Sequence, residues 1–148
     1  MSLPRALTIA GSDPSGGAGI QADLKVFSAF RVHGMAVLTA LTVQNTRGVL
    51  AVQPVSADLV NDQLEAVLED LPPQAVKTGM LARARIVSIV AKALGSLKVP
   101  LVVDPVLASS GGVPLLEEKG VAVLKRELLP LATLITPNLE EAARLTGL

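Results

Sequence analysis

The 148-residue sequence predicts an α/β fold, a mostly parallel sheet with helices on both faces. Three observations point there. Short apolar runs alternate with amphipathic stretches of roughly 10 to 15 residues, the pattern of successive strand–helix units. Runs such as Leu101-Val102-Val103 and Thr133-Leu134-Ile135 are almost wholly apolar, as burial on both faces requires. Half of the residues are hydrophobic and only 18% are charged, with a mean hydropathy of +0.54, a composition that forms a core rather than staying disordered.

The elements follow in order. Residues 6–10 read as a strand that stops at Gly11-Ser12-Asp13. After a glycine-rich turn, residues 20–30 have helical spacing. Residues 35–43 are a β-rich run ending at Gln44-Asn45, and residues 49–55 are a second strand, limited by Pro54. Residues 57–71 carry Val60, Leu64, Val67 and Leu68 at helical intervals, with Ser56 placed to cap the N-terminus. Residues 75–77 form a short strand before Gly79. Residues 83–97 form a helix with Ile86, Ile89, Val90, Ala93 and Leu94 on one side. The strand 101–103 stops at Asp104-Pro105. Residues 117–129 are expected as a helix that turns Val121, Leu124 and Leu128 inward. The strand 133–135 stops at Pro137, and Asn138 opens a last helix through residue 145.

Composition removes several functions. Thirteen basic and thirteen acidic side chains cancel, so no charge footprint for nucleic acid or an anionic membrane exists. Two Phe, no Tyr and no Trp provide no platform for stacked bases and no interfacial aromatic belt. The absence of cysteine excludes disulfides and thiolate metal sites from these residues, and one histidine cannot build a multi-histidine site. His33 is expected as a solvated residue at a helix end. The start, Met1-Ser2-Leu3-Pro4-Arg5, lacks a signal-peptide core, and no window approaches the roughly 18 uninterrupted apolar residues of a membrane span. The expectation is a soluble, cytoplasmic protein.

In open parallel sheets, ligands bind outside the carboxyl ends of the strands. The residues there are Gly11-Ser12-Asp13, Gln44-Asn45, Thr78-Gly79-Met80, Asp104-Pro105-Val106 and Thr136-Pro137-Asn138. Turn chemistry alone accounts for some of them, but together they predict a polar cleft along one sheet edge. The segment from Gly11 to Gly19 fits neither a Walker A loop nor a Rossmann fingerprint. Its glycines allow close backbone approach to a ligand, and the following helix offers N–H groups to an anion. At about 100° per residue, Ile20, Leu24, Phe27 and Phe30 form one apolar arc, with Asp23 inside it. A carboxylate there is costly unless it is paired or serves a ligand. Gln44 offers a donor–acceptor pair to a heterocycle edge, or a bond to backbone. Asp104 has the position of a strand-end Mg²⁺ ligand, or of an Asp-Pro turn. Asn138 and Glu141 have the spacing of a capping box. The stretch 108–114 (ASSGGVP) reads as a mobile loop beside the site.

Taken together, these segments resemble one family. The run AGSDPSGGAGIQADLK at residues 10–25 is similar to the signature of the hydroxymethylpyrimidine/phosphomethylpyrimidine kinase family, of the ribokinase-like superfamily. The similarity continues through TALTVQNTRG at 39–48, KTGML at 77–81, VDPV at 103–106 and ITPNLEEA at 135–142. It implies a ribokinase-like, three-layer α/β/α domain of which residues 1–148 are the N-terminal part. It implies a pyrimidine substrate contacted by Gly11, Asp23, Gln44, Met80 and Val106, with Asp23 and Gln44 reading the ring and Met80 and Val106 packing on its faces. Asp104 and Glu141 would organise Mg²⁺, and Asn138 the phosphates of ATP. The implied reaction is ATP-dependent phosphorylation of 4-amino-5-hydroxymethyl-2-methylpyrimidine, then of its monophosphate, in thiamin biosynthesis, by an enzyme expected to be a homodimer. Leu107 and Ser110 stand where the family often carries Met and a downstream Lys. The family's catalytic base and glycine-rich anion hole are expected beyond residue 148, so no residue here is assigned as the base and the 148-residue chain alone is expected to be inactive. A pyridoxal kinase of the same superfamily and a non-catalytic pyrimidine-binding module remain as alternatives.

Overall fold

A computed structural model describes residues 3–148; of the N-terminal reading above, Met1 and Ser2 lie outside the described residues. The strands are β1 (Arg5–Ser12), β2 (His33–Asn45), β3 (Gly48–Pro54), β4 (Ala75–Thr78), β5 (Leu101–Val103) and β6 (Leu134–Ile135). They form one sheet in the order β3-β2-β1-β4-β5-β6. All neighbours are parallel except β2 and β3, which form an antiparallel pair. The helices are α1 (Gly19–Ala29), α2 (Ala57–Asp70), α3 (Ala84–Gly95), α4 (Glu118–Val123) and α5 (Leu139–Thr146).

Strand alternation decides which residues meet which helices. Leu7, Ile9, Met35, Val37, Val76, Leu101 and Val103 face one way and are buried against Val60 and Leu64 of α2 and Ile86, Val87 and Val90 of α3. Thr8 lies between Leu7 and Ile9 and so faces the other side, where its Oγ1 donates to Asp23 of α1 at 2.6 Å. Gly34 lets α1 settle there. A Cβ at Gly34 would stand 2.8 Å from Leu24 Cδ2 and 3.0 Å from Phe27 Cδ2.

The helix ends obey the caps read from the sequence. Ser56 Oγ accepts from Leu59 N–H at 3.3 Å, and Asn138 with Glu141 forms a complete capping box on α5.

Several expectations are corrected. Helix α1 ends at Ala29, and Phe30, placed in its apolar arc, is 77% exposed; Arg31 then turns the chain with φ +57°. His33 is exposed, but it opens β2 rather than ending a helix. The helix expected over 117–129 is α-helical only to Val123, then widens into a π turn at Leu124–Leu128 and tightens into a 3₁₀ turn at Leu129–Leu131, where Pro130 has no N–H to give. The strand around Leu134 is not buried on both faces. Leu134 is 55% and Ile135 43% exposed, because β6 is an edge with only β5 beside it. Among the described residues no helix is long and apolar enough to cross a membrane.

Among the described residues, one buried side-chain polar atom has no partner. Thr78 is fully buried, and its Oγ1 makes no hydrogen bond. Val has the same shape without the hydroxyl. Thr78→Val is therefore expected to stabilise the fold by about 1 kcal/mol, read from the urea midpoint at an unchanged m-value. A loss of stability would show that the hydroxyl is satisfied.

Candidate active site

The carboxyl ends of β1, β4 and β5 and the far end of β2 open on one cleft of about 620 Å³. That lies within the range of roughly 300–1,000 Å³ typical of small-molecule sites. Gly11, Asp23, Gln44, Met80, Asp104 and Val106 all line it. Asn138 and Glu141 do not line it, although Glu141 is near enough to act electrostatically on Asp104.

The glycine-rich turn is built around a buried carboxylate. Asp13 is 2% exposed. Its Oδ1 accepts from the Ser15 N–H at 2.8 Å and the Ser15 hydroxyl at 2.7 Å, and its Oδ2 from Gly17 N–H at 3.0 Å and Ala18 N–H at 2.9 Å. Burial alone would raise this carboxyl's pKa. The bonds from the Ser15 hydroxyl and the three backbone N–H groups outweigh it and hold the pKa below the usual carboxylate value. The loop thus turns donors at the mouth of α1 onto its own anion, where the sequence reading offered them to a ligand. Gln21 fixes the loop from α1: its Oε1 accepts from Asp13 N–H at 2.8 Å and its Nε2 donates to Ser12 Oγ at 2.6 Å. Gly19 closes the turn at φ +57°, so tightly that a Cβ would lie 2.3 Å from the Gly11 carbonyl oxygen.

The floor of the cleft is apolar. Met80 is buried with Ala40 and Ala82, and Val52, Val106 and Leu115 pack on that group. Thr39 Oγ1 donates to the Met80 carbonyl at 2.6 Å and fixes its backbone. Gly11 needs to be small, because a Cβ there would stand 3.0 Å from Met80 Sδ. Gln44 falls within β2 rather than after it. Its Oε1 accepts from Thr42 Oγ1 at 3.2 Å, while its Nε2 has no protein partner among the described residues.

Charge concentrates where α1 meets β4 and β5. Lys77 Nζ stands 3.1 Å from Asp23 Oδ2 and 3.8 Å from Asp104 Oδ2. The carboxylate that the wheel placed among apolar residues is therefore paired. Burial pushes the Asp104 carboxyl upward; Lys77 opposes that, while Glu141 and Asp23 add to it. Glu141 is buried with both oxygens turned to backbone, Oε2 toward Asn138 N–H at 2.9 Å and Oε1 toward Leu107 N–H at 3.4 Å. Residues 108–114 form a hydrogen-bonded turn beside the cleft. Ser109 and Val113 pair through N–H···O=C at 2.9 Å, and Gly112 N–H donates to the Ser109 carbonyl at 2.8 Å.

The sequence places Asp13 at a strand end but gives it no role, and it gives none to Lys77 or Gln21. Asp13 carried a signal, since Asp followed by Pro-Ser-Gly-Gly is an Asx-turn composition. Lys77 carried another, a lone cation inside a short buried strand. Gln21 carried none.

A six-stranded, mostly parallel sheet with α1 on one face, α2 and α3 on the other, and a polar cleft at its strand ends is the ribokinase-like α/β fold of its structural neighbours. Residues 13–148 match the profile of the family described as Phosphomethylpyrimidine kinase, and the chain belongs to that family. Hydroxymethylpyrimidine/phosphomethylpyrimidine kinase of Synechococcus elongatus is 51% identical over 148 residues, covering 100% of this chain and 56% of the relative. The crystal structure of phosphomethylpyrimidine kinase from Clostridium difficile 630 superposes with a TM-score of 0.90 at 49% identity, covering 98% of this chain and 63% of that one. Pyridoxal kinase from Staphylococcus aureus, solved in complex with ADP, gives a TM-score of 0.86 at 39% identity, covering 99% of this chain and 53% of that one. The chain spans about half the length of the curated relatives it matches.

Proposed function

We propose that these 148 residues form the substrate-binding part of a kinase that uses ATP to phosphorylate 4-amino-5-hydroxymethyl-2-methylpyrimidine and then its monophosphate. The observation that carries this reading is the joint lining of one cleft by Asp23, Gln44, Met80 and Val106. The two polar side chains suit the ring's amino group and nitrogens, and the two apolar ones its faces. Gly11 leaves room for the ring edge against Met80. The substrate's hydroxymethyl oxygen would lie toward Asp104.

Phosphoryl transfer depends on positioning and charge neutralisation more than on covalent help. Among the described residues no cluster of three or more His, Cys, Asp or Glu could hold a metal by itself. Asp104 nevertheless fits Mg²⁺ of the kind held by one or two carboxylates, waters and nucleotide phosphates. When bound, that ion supplies charge neutralisation at the phosphates. Glu141, whose oxygens accept from the Asn138 and Leu107 N–H groups, adds negative charge near Asp104. Asn138 is turned to Glu141 N–H at 2.8 Å, so a role at the nucleotide falls to the helix start it organises.

Titration calorimetry of the 148-residue chain with the aminopyrimidine alcohol is expected to give saturable one-site binding, at least about tenfold tighter than pyridoxal, because a site built to pair Asp23 and Gln44 with ring N–H and N groups leaves them unpaired on the wrong ring. Absence of binding, or tighter binding of pyridoxal, would contradict the substrate assignment. The pyridoxal alternative is favoured by one observation, the 0.86 TM-score with the ADP-bound pyridoxal kinase.

A further inference from the structure

Lys77 is a charged side chain in the four-residue strand β4, near the middle of the sheet. Val76 and Thr78 turn into the core, so Lys77 points to the α1 face. Its Nζ reaches both oxygens of Asp23, at 3.2 Å from Oδ1 and 3.1 Å from Oδ2. The next carboxylate, Asp104 Oδ2, is 3.8 Å away, and the Lys77 side chain is only 25% exposed. Asp23 Oδ2 also accepts from Thr8 Oγ1 at 2.6 Å. Gly79 keeps the space open, since a Cβ there would meet Nζ at 3.1 Å. One ammonium from β4 therefore ties a carboxylate on α1 to a carboxylate at the end of β5. Without it, Asp23 and Asp104, with side chains 18% and 34% exposed, would lose their shared counter-charge.

We propose that Lys77 is a positioning residue for ligand recognition: with the Thr8 hydroxyl it fixes the Asp23 carboxylate so that Oδ1 keeps a lone pair aimed at an N–H of an aminopyrimidine. A carboxylate has about four acceptor sites. Thr8 and Lys77 fill Oδ2, and Lys77 takes one site of Oδ1. The remaining Oδ1 site is the one available to a ligand, and rotation of the carboxylate would break three contacts at once. Lys77 also borders the cleft, and the role proposed for it runs through Asp23. This rests on the aminopyrimidine reading of the cleft.

A double-mutant cycle tests it, with calorimetric affinity for the aminopyrimidine alcohol as the readout. Lys77→Met and Asp23→Asn are each expected to weaken binding by about tenfold or more, the size of a lost charged hydrogen bond. In the double variant, removal of Lys77 is expected to add less than about a twofold further loss. The chain has no cysteine, which allows a chemical rescue. Lys77→Cys treated with 2-bromoethylamine regains an ammonium at nearly the original reach, and its affinity is expected to return to within about threefold of the unsubstituted chain. Methylthiolation of the same thiol is expected to restore nothing. Unchanged binding in Lys77→Met, multiplying losses in the double variant, or no recovery on aminoethylation would overturn the proposal. If Lys77→Met fails to fold, the rescue decides. If the unsubstituted chain binds no aminopyrimidine, the substrate reading falls instead. The clamp is then decided by the same cycle in urea, where absence of coupling between Lys77 and Asp23 would overturn it.

Discussion

Gly19→Ala is expected to cost about 3 kcal/mol or more, measured as a fall in the urea midpoint. Two penalties combine. The left-handed backbone at φ +57° costs a side-chain-bearing residue about 1–2 kcal/mol. The new Cβ would also stand 2.3 Å from the Gly11 carbonyl oxygen, a backbone atom that cannot move without opening the turn. Opening it breaks the pairing of Ser12 with Gly19 and carries Gly11 away from Met80. Overpacking of this kind adds roughly 1–3 kcal/mol. Gly112→Ala is the internal comparison. Gly112 has φ +80° but nothing within 4 Å of a built Cβ, so only the conformational cost of about 1 kcal/mol applies. Equal losses at the two positions would show that the contact with Gly11 does not constrain the turn.

Asp13→Ala is expected to cost about 2–4 kcal/mol, because four hydrogen bonds to one charged group disappear and the N–H groups of Gly17 and Ala18 lose their acceptor. The cost is below a simple sum, since water reaches the exposed part of the loop. The sign of the pH effect follows from the depressed pKa. A carboxylate whose folded pKa lies below its unfolded value contributes in full above the unfolded pKa, near 3.9, and loses that contribution as pH falls through the lower folded value. The stability of the unsubstituted chain should therefore fall on acidification below about pH 4, and fall less in Asp13→Ala. Some fall remains in the variant, because Glu117 is also depressed, by the Ala84 N–H and by Arg83. Asp104 works the other way, its pKa being raised by burial. An unchanged acid slope in Asp13→Ala would contradict the role given to that carboxylate.

What could be read from the sequence was local or periodic. The strand–helix alternation, the Ser56 cap and the Asn138–Glu141 capping box depend on residues within one turn of each other, and all three are present. The placement of Gly11, Gln44, Met80, Asp104 and Val106 on one edge followed from strand polarity alone. What could not be read depends on contacts distant in sequence. Asp23 appeared as an isolated buried carboxylate because its partner, Lys77, lies 54 residues away on a strand that pairs with β1 only in the folded sheet. Phe30 was misplaced because a wheel carries no information on where a helix stops. Leu134 and Ile135 read as buried because an edge strand and an inner strand share the same apolar composition. The π turn at Leu124–Leu128 leaves apolar spacing close to that of an α-helix and has no distinct signature.

In the proposed reading, the cleft over the strand ends holds an aminopyrimidine between Asp23 and Gln44 on one side and Met80 and Val106 on the other. The most direct measurement is a titration of the ¹⁵N,¹³C-labelled chain with 4-amino-5-hydroxymethyl-2-methylpyrimidine, following backbone amides, the Gln44 side-chain amide and the Met80 methyl group by NMR. The predicted result is a saturating shift of Gly11, Gln44, Met80 and Val106 with one common affinity, while Val87 and Val90 on the far side of the sheet stay still. Shifts centred on α3 and the Leu124–Leu128 turn, or none in the cleft at saturating ligand, would contradict it.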